Sequence, residues 1–217
     1  MGLLVRWLLF AWIAVATIAA FTYAPLVPVL ERTTRVLYWH IPAAWLTVVA
    51  LGWSMLQSAL YLWKRDLRHD DHAVTAAELG LIFCIGATVS GALWAKAMWG
   101  AYWNWDPRQT SIFFVLMIYG AYLALRGSID DPVKRARLSA IYSLAAFVAV
   151  PFLIFVVPRL YFSLHPDPIL NDRGKVEMDP RIRIVFGAML VGFTFLFAWL
   201  QSLKVRTLRL ERRHSAV

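Results

Sequence analysis

The sequence predicts an all-α integral membrane protein: six transmembrane helices in one bundle, with a tryptophan-rich loop on the outer face. Three observations predict it. First, of 217 residues 60% are hydrophobic and only 16% are charged, and the mean hydropathy is +0.60. A soluble globule carries roughly a quarter charged residues, so this chain has too little polar surface to cover itself. Second, six apolar runs are each long enough to cross a hydrocarbon core of about 30 Å. Third, four of the eleven Trp fall within residues 94–105. This composition excludes a soluble enzyme, a disordered chain and a disulfide scaffold. Cys84 is the single cysteine, so there is neither a C-x-x-C pair nor a C-x-x-C-H motif. Lying in an apolar run, it reads as a small buried hydrophobe.

The chain reads as one polytopic membrane domain, 1–217, with spans at about 7–29, 36–63, 79–99, 110–126, 138–157 and 182–203, each near the 20 apolar residues a spanning helix needs. The first run follows Arg6 as in a signal peptide. It is too long for a 7–15-residue apolar h-region and reads as a retained helix. The formal charge of +9 fits basic loops against an anionic membrane face better than nucleic acid. With the N-terminus cytoplasmic, 13 of the 22 Lys and Arg lie inside and nine outside, which puts both termini in the cytoplasm by the positive-inside rule. Three outer loops follow, at about 30–35, 100–109 and 158–181, bounded by those spans. On the third span Gly86 and Ser90, and Ala87, Gly91 and Ala95, recur every four residues, as expected of a close helix-packing face.

The second outer loop reads Trp99-Gly100-Ala101-Tyr102-Trp103-Asn104-Trp105-Asp106-Pro107-Arg108. An interfacial aromatic belt accounts for one or two Trp at a helix end, but not for so dense a cluster. Asp106 followed by Pro107 has the chemistry of an N-cap and N1 pair and predicts the start of the fourth helix. Rigid, flat indole faces edged by a few donors suit stacking on a large planar ligand. Arg108, and Lys96 nearby, are placed for acidic groups on its rim, Arg being the better bidentate carboxylate partner. A porphyrin with two propionates fits this description better than a quinone, which has no carboxylates.

Five His occur, and two of them, His40 near the outer end of the second span and His165 in the third outer loop, share the face of the Trp loop. Either alone reads more readily as an interfacial, hydrogen-bonded side chain than as a ligand. Together beside an aromatic platform they read as candidate axial ligands of haem iron, and Pro166 and Pro168 restrict the loop of His165. His69 and His72, in His-Asp-Asp-His, read as part of a solvated inner connector, and His214 as part of a basic tail facing lipid or solvent.

The motif Trp99-Gly100-x-x-Trp103-x-Trp105-Asp106, followed by Pro107-Arg108-x-Thr110-Ser111, resembles the tryptophan-rich (WWD) signature of haem-handling proteins in cytochrome c maturation. Six spans, the chain length and one His in each flanking outer loop make it most similar to the haem exporter protein C (CcmC) branch, over essentially the whole chain. Larger cytochrome c synthase components share the motif but carry more spans. Gln109 stands where this branch commonly has an apolar residue, and Pro107 is a feature of the synthase branch.

The resemblance implies a protein of the bacterial inner membrane that holds haem b at the outer, periplasmic face. His40 and His165 would be axial ligands, and Trp99, Trp103, Trp105 and Asp106 would form the loop against the porphyrin. It further implies delivery to a membrane-anchored haem chaperone (CcmE-like), alongside ABC transporter subunits (CcmA- and CcmB-like) and a small helper subunit (CcmD-like). Membrane lipid is a contact and nucleic acid is not. The sequence has no G-x-S-x-G, H-E-x-x-H or Walker loop, which predicts a carrier and no catalytic residues. The alternatives are a cytochrome c haem ligase and, last, a quinone-binding or channel subunit, which would want ionisable residues inside the spans.

Overall fold

The computed structural model describes residues 2–165 and 178–214. These comprise α1 (Leu3–Thr22), a 3₁₀ turn (Glu31–Val36), α2 (Leu37–Lys64), α3 (Leu67–Trp99), α4 (Pro107–Gly127), α5 (Pro132–Pro151), a π turn (Phe152–Val156), α6 (Val157–Leu160) and α7 (Pro180–His214). No strand occurs among the described residues. Six stretches are long and apolar enough to cross a membrane, so the chain is an all-helical integral membrane protein. The prolines after His165 lie outside the described residues.

The helix ends follow local chemistry. Asp66, Asp106 and Asp131 are N-caps whose carboxylates accept from the backbone N–H groups of Arg68, Arg108 and Lys134, each satisfying a donor the helix cannot. Proline opens α4 and α5, where its missing N–H costs nothing. Gly100 ends α3 with φ +79°, a left-handed conformation that glycine adopts without a Cβ clash.

The largest differences from the expected spans are at three boundaries. α1 stops at Thr22, since Pro25 and Pro28 follow and disfavour helix before them. α3 starts at Leu67 and α7 runs to His214. At 1.5 Å per residue they are about 50 Å long, well beyond a hydrocarbon core of about 30 Å. Hydropathy marks only the part of each helix in lipid, whereas ion pairs hold the rest. Lys204 Nζ meets Glu78 Oε2 at 2.7 Å, and Arg209 Nε and Arg212 Nη1 meet Asp71 at 3.2 and 2.6 Å.

The His-Asp-Asp-His segment is therefore the first turn of α3 and not a solvated connector. Asp70 and Asp71 are each 3% exposed, and Arg126 clasps Asp70 with two hydrogen bonds of 2.7 and 3.0 Å. A buried carboxylate persists only when paired in this way. His69 Nδ1 meets Gln57 Oε1 at 2.8 Å, and Gln201 Nε2 donates to the His72 carbonyl at 2.8 Å. No group of three or more His, Cys, Asp and Glu among the described residues is arranged to hold a metal ion.

α2 joins the two halves of the bundle. On one side Leu51, Ala77, Cys84, Val115, Tyr119, Ala146 and Val150 form a core joining α2, α3, α4 and α5. On the other, Ala16, Ala20, Leu37, Tyr38, Val185 and Met189 join α1, α2 and α7. Cys84 is fully buried, as its apolar run predicts. A Cβ at Gly80 would lie 2.7 Å from Leu51 Cδ2, so α2 and α3 touch closely there, as small residues allow in lipid. Gly86 has open space and takes no part in that approach.

Candidate functional site

The Gly100 end of α3 organises the site. It carries Trp94 and Trp99, one beside each candidate histidine. The His40 ring lies 5.7 Å from Trp94, edge to face, and the His165 ring lies 4.9 Å from Trp99 at 69°. Edge-to-face geometry is favoured because the positive rim of one ring meets the negative face of the other. The two imidazoles are also within electrostatic reach of each other.

His40 stands in the first turn of α2 and faces α3. Its Nδ1 meets Ser90 Oγ at 3.1 Å. The Ser90 hydroxyl is 2.7 Å from the Gly86 carbonyl and 3.2 Å from that of Ala87. Ser90 Oγ thus lies between the His40 ring and two backbone carbonyls of α3. A Cβ at residue 91 would lie 2.8 Å from His40 Cε1, so Gly91 is what lets the ring lie against α3. Ser90 and Gly91 read in sequence as packing residues only, whereas they shape the His40 pocket. The available signal was the spacing of Ser90 from Trp94, which places both on one face of α3.

His165 is held through Asp106. Its Nδ1 meets Asp106 Oδ1 at 3.0 Å. The same carboxylate accepts from Arg108 N–H at 2.9 Å, Leu164 N–H at 2.7 Å and the Ser163 hydroxyl at about the same range, 3.0 to 3.1 Å. Ser163 Oγ in turn accepts from His165 N–H at 3.2 Å. Burial alone would push the Asp106 carboxyl up. The N–H groups of Arg108 and Leu164, the His165 imidazole and the Ser163 hydroxyl outweigh it and hold the group below the ordinary carboxylate range. Asp106 thus joins the start of α4 to the loop of His165, a role beyond the predicted N-cap. Ser163 was missed, since a serine two residues before a histidine in a loop carries no distinctive pattern.

Between α3 and α4 the aromatic loop is braced by a residue that sequence reasoning treated only as a departure. Gln109, 7% exposed, accepts from Asn104 N–H at 2.8 Å and donates to the Tyr102 carbonyl at 3.4 Å. Trp103 and Trp105 pack edge to face at 5.8 Å. Trp105 adopts φ +55° and is 69% exposed, an uncommon backbone conformation for a bulky residue. Arg108 is half-buried in the first turn of α4. Lys96, expected at a ligand rim, donates to the Gly100 carbonyl at 2.7 Å and stands 5.6 Å from the Tyr102 ring. It caps α3 instead, its charge suiting the helix C-terminus.

An open groove of about 360 Å³ adjoins the His40 side, bounded by Phe21, Thr33, Arg35, Trp39, Ser90 and Trp94 among others. Arg35 donates to the carbonyls of Ala20 and Ala24, closing the end of α1. Trp94 Nε1 donates to Thr33 Oγ1 at 3.0 Å. The groove walls are thus tied to one another through the short 3₁₀ turn.

Together these features define a polytopic membrane protein whose bundle presents two supported imidazoles and a Trp-rich loop at one end. The profile of the family described as Heme exporter protein C matches residues 2–217, and the chain belongs to that family. It is 32% identical to Heme exporter protein C of Bradyrhizobium diazoefficiens over 83% of this chain and 68% of that relative. The corresponding protein of Rhodobacter capsulatus is 30% identical, over 96% and 90%. That of Escherichia coli K12 is 29% identical, over 95% and 84%.

Proposed function

We propose that the chain binds haem at the outer face of the bacterial inner membrane and passes it to a membrane-anchored, CcmE-like haem chaperone for c-type cytochrome biogenesis. Haem b is the cargo. The observation that carries this reading is the pairing of His40 with Trp94 and His165 with Trp99 on one end of α3. Ser90 Oγ stands 3.1 Å from His40 Nδ1 and Asp106 Oδ1 stands 3.0 Å from His165 Nδ1, and a polar partner behind the ring is the usual arrangement of a metal-ligating histidine. The Trp loop supplies stacking surface for the porphyrin, and Arg108 a guanidinium for a propionate.

The chain acts as a carrier. ABC transporter subunits resembling CcmA and CcmB would supply ATP hydrolysis, and a small CcmD-like subunit would assist. Both termini lie in the cytoplasm, following the excess of Lys and Arg on that side. The test is spectroscopic. Purified protein carries a Soret band that shifts or vanishes in His40→Ala and His165→Ala; an unchanged band in both overturns the ligand assignment. If the protein alone attaches haem covalently to a purified c-type apoprotein, it is a ligase instead.

A further inference from the structure

The two imidazoles differ in what stands behind them. His40 Nδ1 lies 3.1 Å from Ser90 Oγ, whose hydroxyl also reaches the Gly86 and Ala87 carbonyls at 2.7 and 3.2 Å. Asp106 Oδ1 lies 3.0 Å from His165 Nδ1 as an ion-pair contact. One ring thus stands against a neutral hydroxyl and the other against a carboxylate.

We propose that the two histidines are unequal haem ligands, with Asp106 making His165 the holding ligand and Ser90 leaving His40 as the ligand that yields when haem is handed on. The inference rests on the haem reading above. A carboxylate is a stronger acceptor for an imidazole N–H than a neutral hydroxyl is. A carboxylate behind a ligating imidazole also raises the ligand's basicity and so strengthens its bond to the metal. Asp106 adds a mechanical hold, because it binds the Leu164 N–H and the Ser163 hydroxyl as well as the ring. The loop of His165 is fastened to α4 at the point where the ring is oriented. His40 has one side-chain partner, Ser90, and a ring seated on Gly91. The groove bounded by Ser90 and Trp94 leaves space on its side of the site. Ser90 and Asp106 are then positioning residues that set an order of ligand exchange.

The experiment uses the purified full chain loaded with haem, with free imidazole as the displacing ligand. His40→Ala is expected to keep haem and to regain a low-spin spectrum with imidazole, whereas His165→Ala loses haem at least tenfold more readily. Asp106→Asn, which retains a capping side chain, lowers haem affinity 10- to 100-fold and raises the reduction potential of the bound haem. Ser90→Ala leaves the potential nearly unchanged but speeds imidazole exchange, and Ser90→Thr restores the slower rate. If Asp106→Asn fails to accumulate, His165→Gly complemented by imidazole gives the same comparison without touching the carboxylate. Equal haem loss in the two histidine variants, or equal shifts of potential in Asp106→Asn and Ser90→Ala, overturns the inequality while leaving both residues as ligands. An unchanged Soret band in both histidine variants overturns the haem reading and the inequality with it.

Discussion

Asp106 accepts from Leu164 N–H at 2.7 Å while capping α4 through Arg108 N–H at 2.9 Å. One carboxylate, 4% exposed, therefore fixes both a helix start and the loop that carries His165. Removing it deletes a cap, at about 1 kcal/mol, and also leaves the Leu164 N–H and the Ser163 hydroxyl without their charged acceptor. Hydrogen bonds to charged groups are worth about 1.5–3 kcal/mol each. Asp106→Ala is expected to lower stability in detergent by more than 2 kcal/mol on that basis, with faster hydrogen exchange at the Leu164 amide. Ser163→Ala, which leaves the Asp106 contacts to Arg108 and Leu164 intact, should cost about 1 kcal/mol. Equal effects of the two substitutions would refute the hub.

Gly91 and Gly86 offer a controlled pair on one helix. A Cβ at residue 91 would stand 2.8 Å from His40 Cε1, while one at residue 86 meets nothing within 4 Å. Gly91→Ala must push the imidazole off α3 and stretch its bond to Ser90. Haem occupancy should fall severalfold without loss of the folded bundle. Gly86→Ala should leave the haem spectrum unchanged and stabilise α3 by up to about 1 kcal/mol, the usual helix preference for Ala over Gly. A Soret titration beside a thermal melt for each variant reads both effects, and the expectation fails if the two alanines behave alike.

The helical class and the number of spans were legible because lipid imposes a strong rule: backbone groups must be satisfied within each helix, and apolar runs of the right length reveal it. The cap at Asp106 follows from similarly local chemistry. The helix continuations were not legible. The first turn of α3 carries His, Asp and Arg and looks solvated, yet Asp70 and Asp71 are buried against Arg126, Arg209 and Arg212, which lie on α4 and α7. Those pairings span more than fifty residues of sequence and no local pattern announces them. The site was legible to the same extent. Rare residue types marked His40, His165 and the Trp loop, whereas Ser90, Gly91, Ser163 and Gln109 act through long-range contacts that only the fold creates.

The Asp70–Arg126 pair is a test of how such burial works. Arg126 is 8% exposed and Asp70 is 3% exposed, so removing Arg126 leaves the buried Asp70 carboxylate to the more distant Arg212, 3.8 Å away. Arg126→Met is expected to cost about 3–5 kcal/mol, whereas Arg126→Met combined with Asp70→Leu should recover most of that loss. Thermal unfolding of the three variants in one detergent measures the coupling. Additive losses would mean that the pair is screened and that its burial carries no energetic weight.

Orientation can be read with thiols, because the native background is low: Cys84 is fully buried and burial pushes cysteines away from reactivity. Tyr102 is 56% exposed in the Trp loop, and Leu210 is 54% exposed near the far end of α7. Both substitutions face away from the packed core, so Tyr102→Cys and Leu210→Cys should fold. In intact cells permeabilised only at the outer membrane, an impermeant maleimide is expected to label Tyr102→Cys and to spare Leu210→Cys until the inner membrane is opened. Since α3 crosses from the ion-paired end at Asp71 to Gly100, and α7 returns Arg209 to Asp71, the two labels must report opposite faces. Labelling of Leu210→Cys alone would invert the topology and put the imidazole pair on the cytoplasmic side.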